Sequence, residues 1–440
     1  MDVVLLSRIQ FAVAAGFHFI FPPLTLGITL VILILETLYI RGGQELHKII
    51  SSFLIKLLGL IFVIGTATGI VLEFSFGTNW APYSRLVGDI FGAPLAAEGI
   101  IAFFLESVFI GVLIFGRNRV SKRVYWLSAL LVFIGSHLSG LWIIIANSWM
   151  QTPAGYAMEG GRAVLTDFMA AAFNDSTLIR FFHVVLASWI TGSLFMAGVS
   201  AWYLLKNRHR DFSRVLLKMS LVIFIATALV QFLSGHSSSV QVAKTQPEKM
   251  AAFEALWDTM EGAPLALFGI PDERRQRTYL EISVPRLLSL LIHMDPNAKV
   301  TGLNDFPKDE QPPVFLPYVS YHIMIGLGSF FALIATISAF LLFRGAYTTT
   351  RWFLYLLVAS IPLPHLANET GWIAAEVGRQ PWAVYRLLKT ADAASTVVPG
   401  WQVLFSLIMF TLIFSLLLTV FIFLLVKIIR KGPAGETQAA

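Results

Sequence analysis

The chain has 440 residues, of which 56% are hydrophobic and only 13% charged, with a net charge of +6 at pH 7; this is far from the composition of a soluble globular protein. Cysteine is absent, which excludes disulfides, iron–sulfur clusters and covalent attachment of haem through Cys-x-x-Cys-His. Any metal must then be held by histidine, methionine, carboxylate or backbone.

Apolar runs long enough to cross a bilayer, about 20 residues each, lie at 9–40, 53–76, 94–116, 123–149, 179–205, 215–234, 318–343, 352–376 and 401–428. The expected fold is an all-α polytopic membrane protein of nine transmembrane helices, one membrane domain over 1–440. The opening MDVVLLSRIQ has no basic segment ahead of its apolar run, so the first helix reads as retained rather than as a signal peptide. An odd number of spans puts the termini on opposite faces, and Lys/Arg bias decides between the two orientations. Alternate connections carry Arg41 and Lys48; Arg117, Arg119, Lys122 and Arg123; Lys206, Arg208, Arg210 and Arg214; Arg344 and Arg351; and Lys427, Arg430 and Lys431. The opposite connections hold fewer, chiefly Arg85, Arg162, Arg379, Arg386 and Lys389. The N-terminus is therefore expected outside and the C-terminus in the cytoplasm. The positive charge is topological, not a nucleic-acid footprint.

Between the sixth and seventh runs, residues 235–317 form an outside loop of about eighty residues, long enough to imply a function. After Pro247, the residues Met250, Phe253, Trp257 and Met260 recur at helical spacing, the pattern of an amphipathic helix; a helix resting on the membrane surface has the same signature. The tail over 432–440 reads as flexible.

A charged side chain at the centre of a membrane helix costs about 2.5 to 3.5 kcal/mol on insertion scales. Nevertheless Glu73, Glu98, Glu106, Glu369 and Glu376 lie within or at the ends of the apolar runs, as do His18, His137, His183, His322 and His365. His18 stands ten residues below Arg8, ~15 Å along a helix. His183 follows Arg180 by three residues, His322 and Met324 sit in the first turns of the seventh span, and Glu376 ends the eighth. The ligand-capable groups thus gather in the outer half of the membrane. His plus Met closes both faces of a haem iron, whereas a single His or Glu leaves one face open.

The blocks SRIQFAVAAGFHFIFPPLTLG, GTNW, GDIFGAPLAAEGIIAFFLESVF, GSHLSGLWIIIANSWMQ, FFHVVLASWITGS, KTQPEKMAAFEALW, YHIMIGLG and GWIAAEVGRQPW together resemble subunit I of bacterial cytochrome bd-type quinol oxidases, in the form with a short quinol loop. The resemblance covers nearly the whole chain. It implies two haem b groups, one low-spin and one high-spin, and a haem d, a chlorin that some relatives replace with haem b. His183 and Met324 would be the axial ligands of the low-spin haem. His18 and Glu376 would each hold one high-spin iron, with Glu98 a ligand or proton carrier nearby. Trp372 would pack on a macrocycle, and Arg379 would pair with a haem propionate through its planar fork. Lys249 and Glu254 would form the quinol site.

His322 stands where the family commonly has an arginine. Glu106, Glu98, Ser139 and His137 would carry protons inward to outward, so that quinol oxidation outside and oxygen reduction fed from the cytoplasm build a proton-motive force without pumping. The implied partners are a subunit II, one or more small single-span subunits, quinol, O2 and membrane lipid, with no nucleic acid, at the bacterial inner membrane. A proton-coupled transporter using the same carboxylates is the competing function, and a haem-free structural subunit a third.

Overall fold

Prolines and glycines, more than hydropathy, decide where the long apolar runs break. The computed structural model describes residues 2–395 and 397–434; most of the expected flexible tail lies outside them. Helix α1 (Val3–Phe19) ends at Ile20 and α2 (Phe21–Gly42) starts with Pro22 and Pro23 in its first turn, because neither proline can donate to a carbonyl of the preceding turn. His18 therefore sits beside the break. Next come α3 (Glu45–Thr78) and α4 (Ala81–Ala97), the latter containing Pro94. A six-residue π-helical segment, Glu98–Phe103, then leads into α5 (Phe104–Phe115). A π turn re-registers the side chains on either side of it and recurs at functional positions. Glu98 opens this one.

Helix α6 (Lys122–Gln151) is followed by the hairpin β1 (Tyr156–Glu159) and β2 (Arg162–Leu165), the short α7 (Phe168–Ala172), and the long helices α8 (Thr177–Leu205) and α9 (Arg210–Thr245). The loop that follows contains α10 (Pro247–Phe253), β3 (Met260–Glu261), the antiparallel pair β4 (Leu265–Asp272) and β5 (Arg277–Val284), α11 (Leu287–His293) and β6 (Lys299–Val300), which pairs with β3. After α12 (Phe315–Phe343) come α13 (Arg351–Ala359) and α14 (Leu363–Val377). The chain closes with β7 (Trp382–Val384), β8 (Leu388–Lys389), α15 (Thr390–Ala393) and α16 (Gly400–Lys431).

Among the described residues, eight helical stretches are long and apolar enough to cross a membrane, with α1 and α2 forming one stretch. The remaining run, 352–376, is not one helix but two, α13 and α14. Pro362 and Pro364 lie at the junction and remove the backbone donors that would carry one helix through it. Two other expectations shift. Helix α9 continues to Thr245, so the loop leaves the bundle later than hydropathy places it. The loop helix stops at Phe253, and Ala255 has φ +49°; Trp257 lies beyond it and Met260 is in a strand. Met250 and Phe253 are buried against Tyr318 and Tyr321, respectively, rather than spread on a surface.

Two packing centres hold the bundle. One gathers α2, α3, α5, α6 and α8 around Phe21, Phe53, Ile61 and Tyr203; the other gathers α8, α9, α12 and α13 around Phe224, Phe331 and Phe353. Helices α2 and α8 cross at Gly27 and Gly192. A Cβ on Gly192 would lie 2.6 Å from Gly27 Cα, so the backbones touch, as small residues permit where lipid supplies no hydrophobic drive. Gly192→Val is expected to lower the yield of assembled protein and its melting temperature in detergent, whereas Gly88→Ala, where nothing lies within 4 Å, leaves both unchanged.

The basic connections collect at one end of the bundle. There Arg117 makes a bidentate pair with Glu36 of α2, at 3.0 and 2.6 Å, and stacks over Tyr125 with its Cζ 4.0 Å from the ring centre. Tyr203 of α8 donates to Ile429 O of α16 at 2.6 Å at the same end. The long loop, the C-terminal end of α6 and the end of α14 meet at the opposite end, joined by hydrogen bonds from Gln246 and Lys249 to Gln151.

Candidate functional site

Glu376 leaves α14 on its last turn and faces a set of donors from α6, α8 and the turn that follows α14. Asn147 Nδ2 and Gln151 Nε2, one turn apart on α6, donate to Glu376 Oε1 at 3.0 and 3.2 Å. Arg379 Nη2 donates to Oε2 at 2.5 Å, and Arg180 Nη2 of α8 lies 3.9 Å from Oε1. Arg180 in turn donates to Asn147 Oδ1. Two guanidiniums, the buried Arg379 and the partly buried Arg180, thus flank one carboxylate. Arg379 is 5% exposed and its Nη1 has no partner among the described residues. An orphaned buried donor of this kind fits the propionate of a haem. Trp372 is half-buried one turn before Glu376 on the same helix.

The other side chains expected as ligands stand on separate helices. His18 Nδ1 contacts Thr68 Oγ1 of α3 at 3.0 Å, and a Cβ on Gly69 would come within 3.2 Å of its ring. His183 on α8 meets Ser234 at 3.1 Å and Gln231 at 3.2 Å, both on α9. Met324 on α12 abuts Gly371 of α14; a Cβ there would lie 2.7 Å from Met324 Sδ. Glycine is thus the residue that leaves room for the thioether. Helices α8 and α12 both pack on α9. Imidazole, thioether and carboxylate donors without thiolate suit haem iron, one ligand or two per iron. His322 Nδ1 and Nε2 face the carbonyls of Tyr318 and Ala266 at 2.8 and 3.0 Å. A neutral ring donates through one of these nitrogens, either to its own helix or to strand β4.

Of the expected proton-path residues, two meet. Ser139 Oγ of α6 donates to Glu98 Oε1 at 2.8 Å, across to the π segment. Glu106 is buried on α5. His137 turns elsewhere: its Nε2 takes the indole N–H of Trp189 at 3.1 Å, so its Nδ1–H donates to Phe133 O at 2.8 Å. A cavity of about 490 Å³ lies between α1, α14 and α16, with Glu369, His365 and Ser415 in its lining.

In the loop, Lys249 and Glu254 are 4% and 7% exposed. Lys249 Nζ donates to Gln151 Oε1 at 2.9 Å. Burial, reinforced by the charge of Arg180, holds the Lys249 ammonium well below the usual lysine range. Glu254 Oε2 accepts from Ala266 N at 3.2 Å, whereas Oε1 has no partner among the described residues. Burial pushes this carboxyl up to about 8, a rise that the Ala266 bond only partly opposes. The Tyr318 hydroxyl and the Trp257 indole nitrogen, which belong to the same packing cluster, are also buried without a partner among the described residues. Sequence reasoning missed Asn147, Gln151, Tyr318 and the structural part of Arg180. Two amides at i and i+4 at the end of an apolar helix were the signal available for the first two.

Residues 6–433 match the family described as cytochrome bd terminal oxidase subunit I. The chain is 38% identical to the cytochrome bd ubiquinol oxidase subunit 1 of Bacillus subtilis (strain 168), covering 100% of this chain and 96% of that one. It is 36% identical to the cytochrome bd-II ubiquinol oxidase subunit 1 of Escherichia coli (strain K12), over 99% and 98% of the two chains. The solved structure of bd oxidase from Geobacillus thermodenitrificans superposes with a TM-score of 0.92 at 32% identity, covering 98% of this chain and 99% of that one. Apolar spans and likeness over the full length converge on one assignment: the chain belongs to the cytochrome bd terminal oxidase subunit I family.

Proposed function

We propose that this subunit oxidises quinol at Lys249 and Glu254, and that His183 and Met324 hold a low-spin haem b. On this reading His18 and Glu376 hold two high-spin haems, one haem b and one haem d, with Glu98 beside them. Family membership makes the chain a multi-pass subunit of a quinol:oxygen oxidoreductase of the bacterial inner membrane, with haem cofactors and a subunit II partner, rather than a transporter. Haem iron supplies one-electron transfer and, at an open face, oxygen binding. Arg379, with its free Nη1, is the propionate partner, and Trp372 packs on a macrocycle. Further small single-span subunits and lipid cover the exposed apolar faces of α5 and α16.

One observation carries the quinol site: an enclosed carboxyl group, Glu254, with one oxygen bonded to the loop and the other unpaired. A buried acceptor without a donor costs about 1–3 kcal/mol, and a quinol hydroxyl supplies what is missing. As the quinol gives up electrons, Glu254 takes a proton and the Lys249 ammonium steadies the developing oxyanion. Burial raises the Glu254 carboxyl to about 8 and lowers the Lys249 ammonium from its usual range, the kind of perturbation that gathers where protons are exchanged. Protons for oxygen reduction pass along Glu106, Glu98 and Ser139. His137 joins this path only when its bonds to Phe133 and Trp189 open. Release at one face and uptake from the other build a proton-motive force without pumping.

A base works only when ionised, so the ionised fraction of Glu254 sets the rate at low pH. kcat/KM for quinol should therefore rise about tenfold per pH unit below about 8 and level off above it. Glu254→Gln should keep the haem spectra, lose this pH-dependent limb, and turn over quinol ~100-fold more slowly. A wild-type profile in Glu254→Gln removes the quinol assignment.

A further inference from the structure

Lys249 and Glu376 lie in different elements and have different proposed partners, yet one side chain touches both. Gln151, the last residue of α6, is 3% exposed. Its Oε1 accepts from Lys249 Nζ at 2.9 Å, and its Nε2 donates to Glu376 Oε1 at 3.2 Å. Its backbone carbonyl accepts from Gln246 Nε2 at 2.7 Å, so the start of the loop grips residue 151 through main chain and side chain together. An amide oxygen only accepts and an amide nitrogen only donates. The ammonium at one end thus dictates that the NH2 group faces the carboxylate at the other. Turning the amide over would set its NH2 against the ammonium and its oxygen against the carboxylate, and lose both bonds.

We propose that Gln151 is a positioning residue that couples occupancy of the Lys249 site to the Glu376 carboxylate. A quinone-class oxygen that takes the Lys249 ammonium withdraws the donor that orients Gln151, and the hold of the amide on Glu376 Oε1 relaxes. The carboxylate then rests on Asn147, Arg379 and Arg180 alone. Electron supply at the loop is by this means registered at the carboxylate without any charged group crossing between the sites. The inference rests on the reading of Lys249 as a quinol-site residue and Glu376 as an iron ligand.

Optical spectra of the purified holoenzyme test it, with a short-chain quinone as the probe. In the wild type, adding the quinone should shift the band of the haem held by Glu376. Gln151→Met preserves side-chain length and should abolish this shift and lower kcat about tenfold, while KM for quinol changes less than about threefold. A full-sized quinone-induced shift in Gln151→Met overturns the proposal. Lys249→Met gives the same test from the other end, independent of how well the Gln151 variant assembles. It removes the orienting donor, so the band should be displaced before any quinone is added. If Lys249→Met raises KM but leaves the band in place, the coupling fails and the quinol-site reading survives. If KM is unchanged as well, that reading fails with it.

Discussion

Glu376→Ala is expected to remove one haem from the purified protein and to depress oxygen reduction by on the order of 100-fold or more, since even groups that only support a metal ligand are worth 10–100-fold. Pyridine haemochrome analysis and an oxygen electrode measure the two effects. The same substitution leaves the Arg180 and Arg379 guanidiniums facing each other across an emptied space, with Arg379 Nη1 already without a partner among the described residues. Breaking a buried pair by deleting one member costs about 3–5 kcal/mol, so the variant should also melt earlier. Glu376→Gln separates the two consequences. It keeps the volume but turns an NH2 group toward donors, and should lose the haem while packing better than alanine. Full haem content in both variants would remove Glu376 from the ligand set.

Met324→Leu should convert the low-spin haem to a high-spin form and slow electron entry from quinol, with little change in stability. Leucine and methionine have similar volumes, and such exchanges cost under about 1.5 kcal/mol; the loss is therefore one of the sulfur donor rather than of packing. Gly371→Ala approaches the same atom from the opposite helix. Its new Cβ would stand 2.7 Å from Met324 Sδ, far inside contact distance, so the thioether must move and the low-spin spectrum should weaken although both proposed ligands remain. An unaltered low-spin band in both variants would remove Met324 from the haem. His322→Ala makes a useful companion, because it cuts the link from α12 to strand β4 at Ala266 without touching the sulfur.

The order of the helices was legible because lipid leaves the backbone few options: each crossing segment must satisfy its own hydrogen bonds, and the residues that do so are conspicuously apolar. Averaged hydropathy was blind to the division of 352–376, where Pro362 and Pro364 override an apolar stretch. It was equally blind to the helical continuation of α9 through HSSSVQVAKT. In the loop, the spacing of Met250 and Phe253 predicted helix correctly, but Ala255 at φ +49° ends the repeat before Trp257 and Met260. His18, His183 and Glu376 stood out because ionisable groups are costly in apolar segments, and Met324 because it lies in the block YHIMIGLG. Asn147 and Gln151 did not, since an amide carries no charge and their partner lies 229 and 225 residues away in sequence. Glu254 was legible as a carboxylate in a loop, but its unpaired oxygen became visible only once β4 and α12 closed around it.

With His18 and His183 holding haems as proposed, the crossing of α2 and α8 at Gly27 and Gly192 bears on the spacing of redox centres. His18 precedes α2 by a proline-bounded break, and His183 lies on α8 nine residues before Gly192. Main chain pressed against main chain has no rotamers to rearrange, so the gap between those two helices is set by backbone contact. Tunnelling rates fall exponentially with separation, and on that proposed assignment a bare peptide junction would act as the ruler that keeps electron hopping uniform from one turnover to the next.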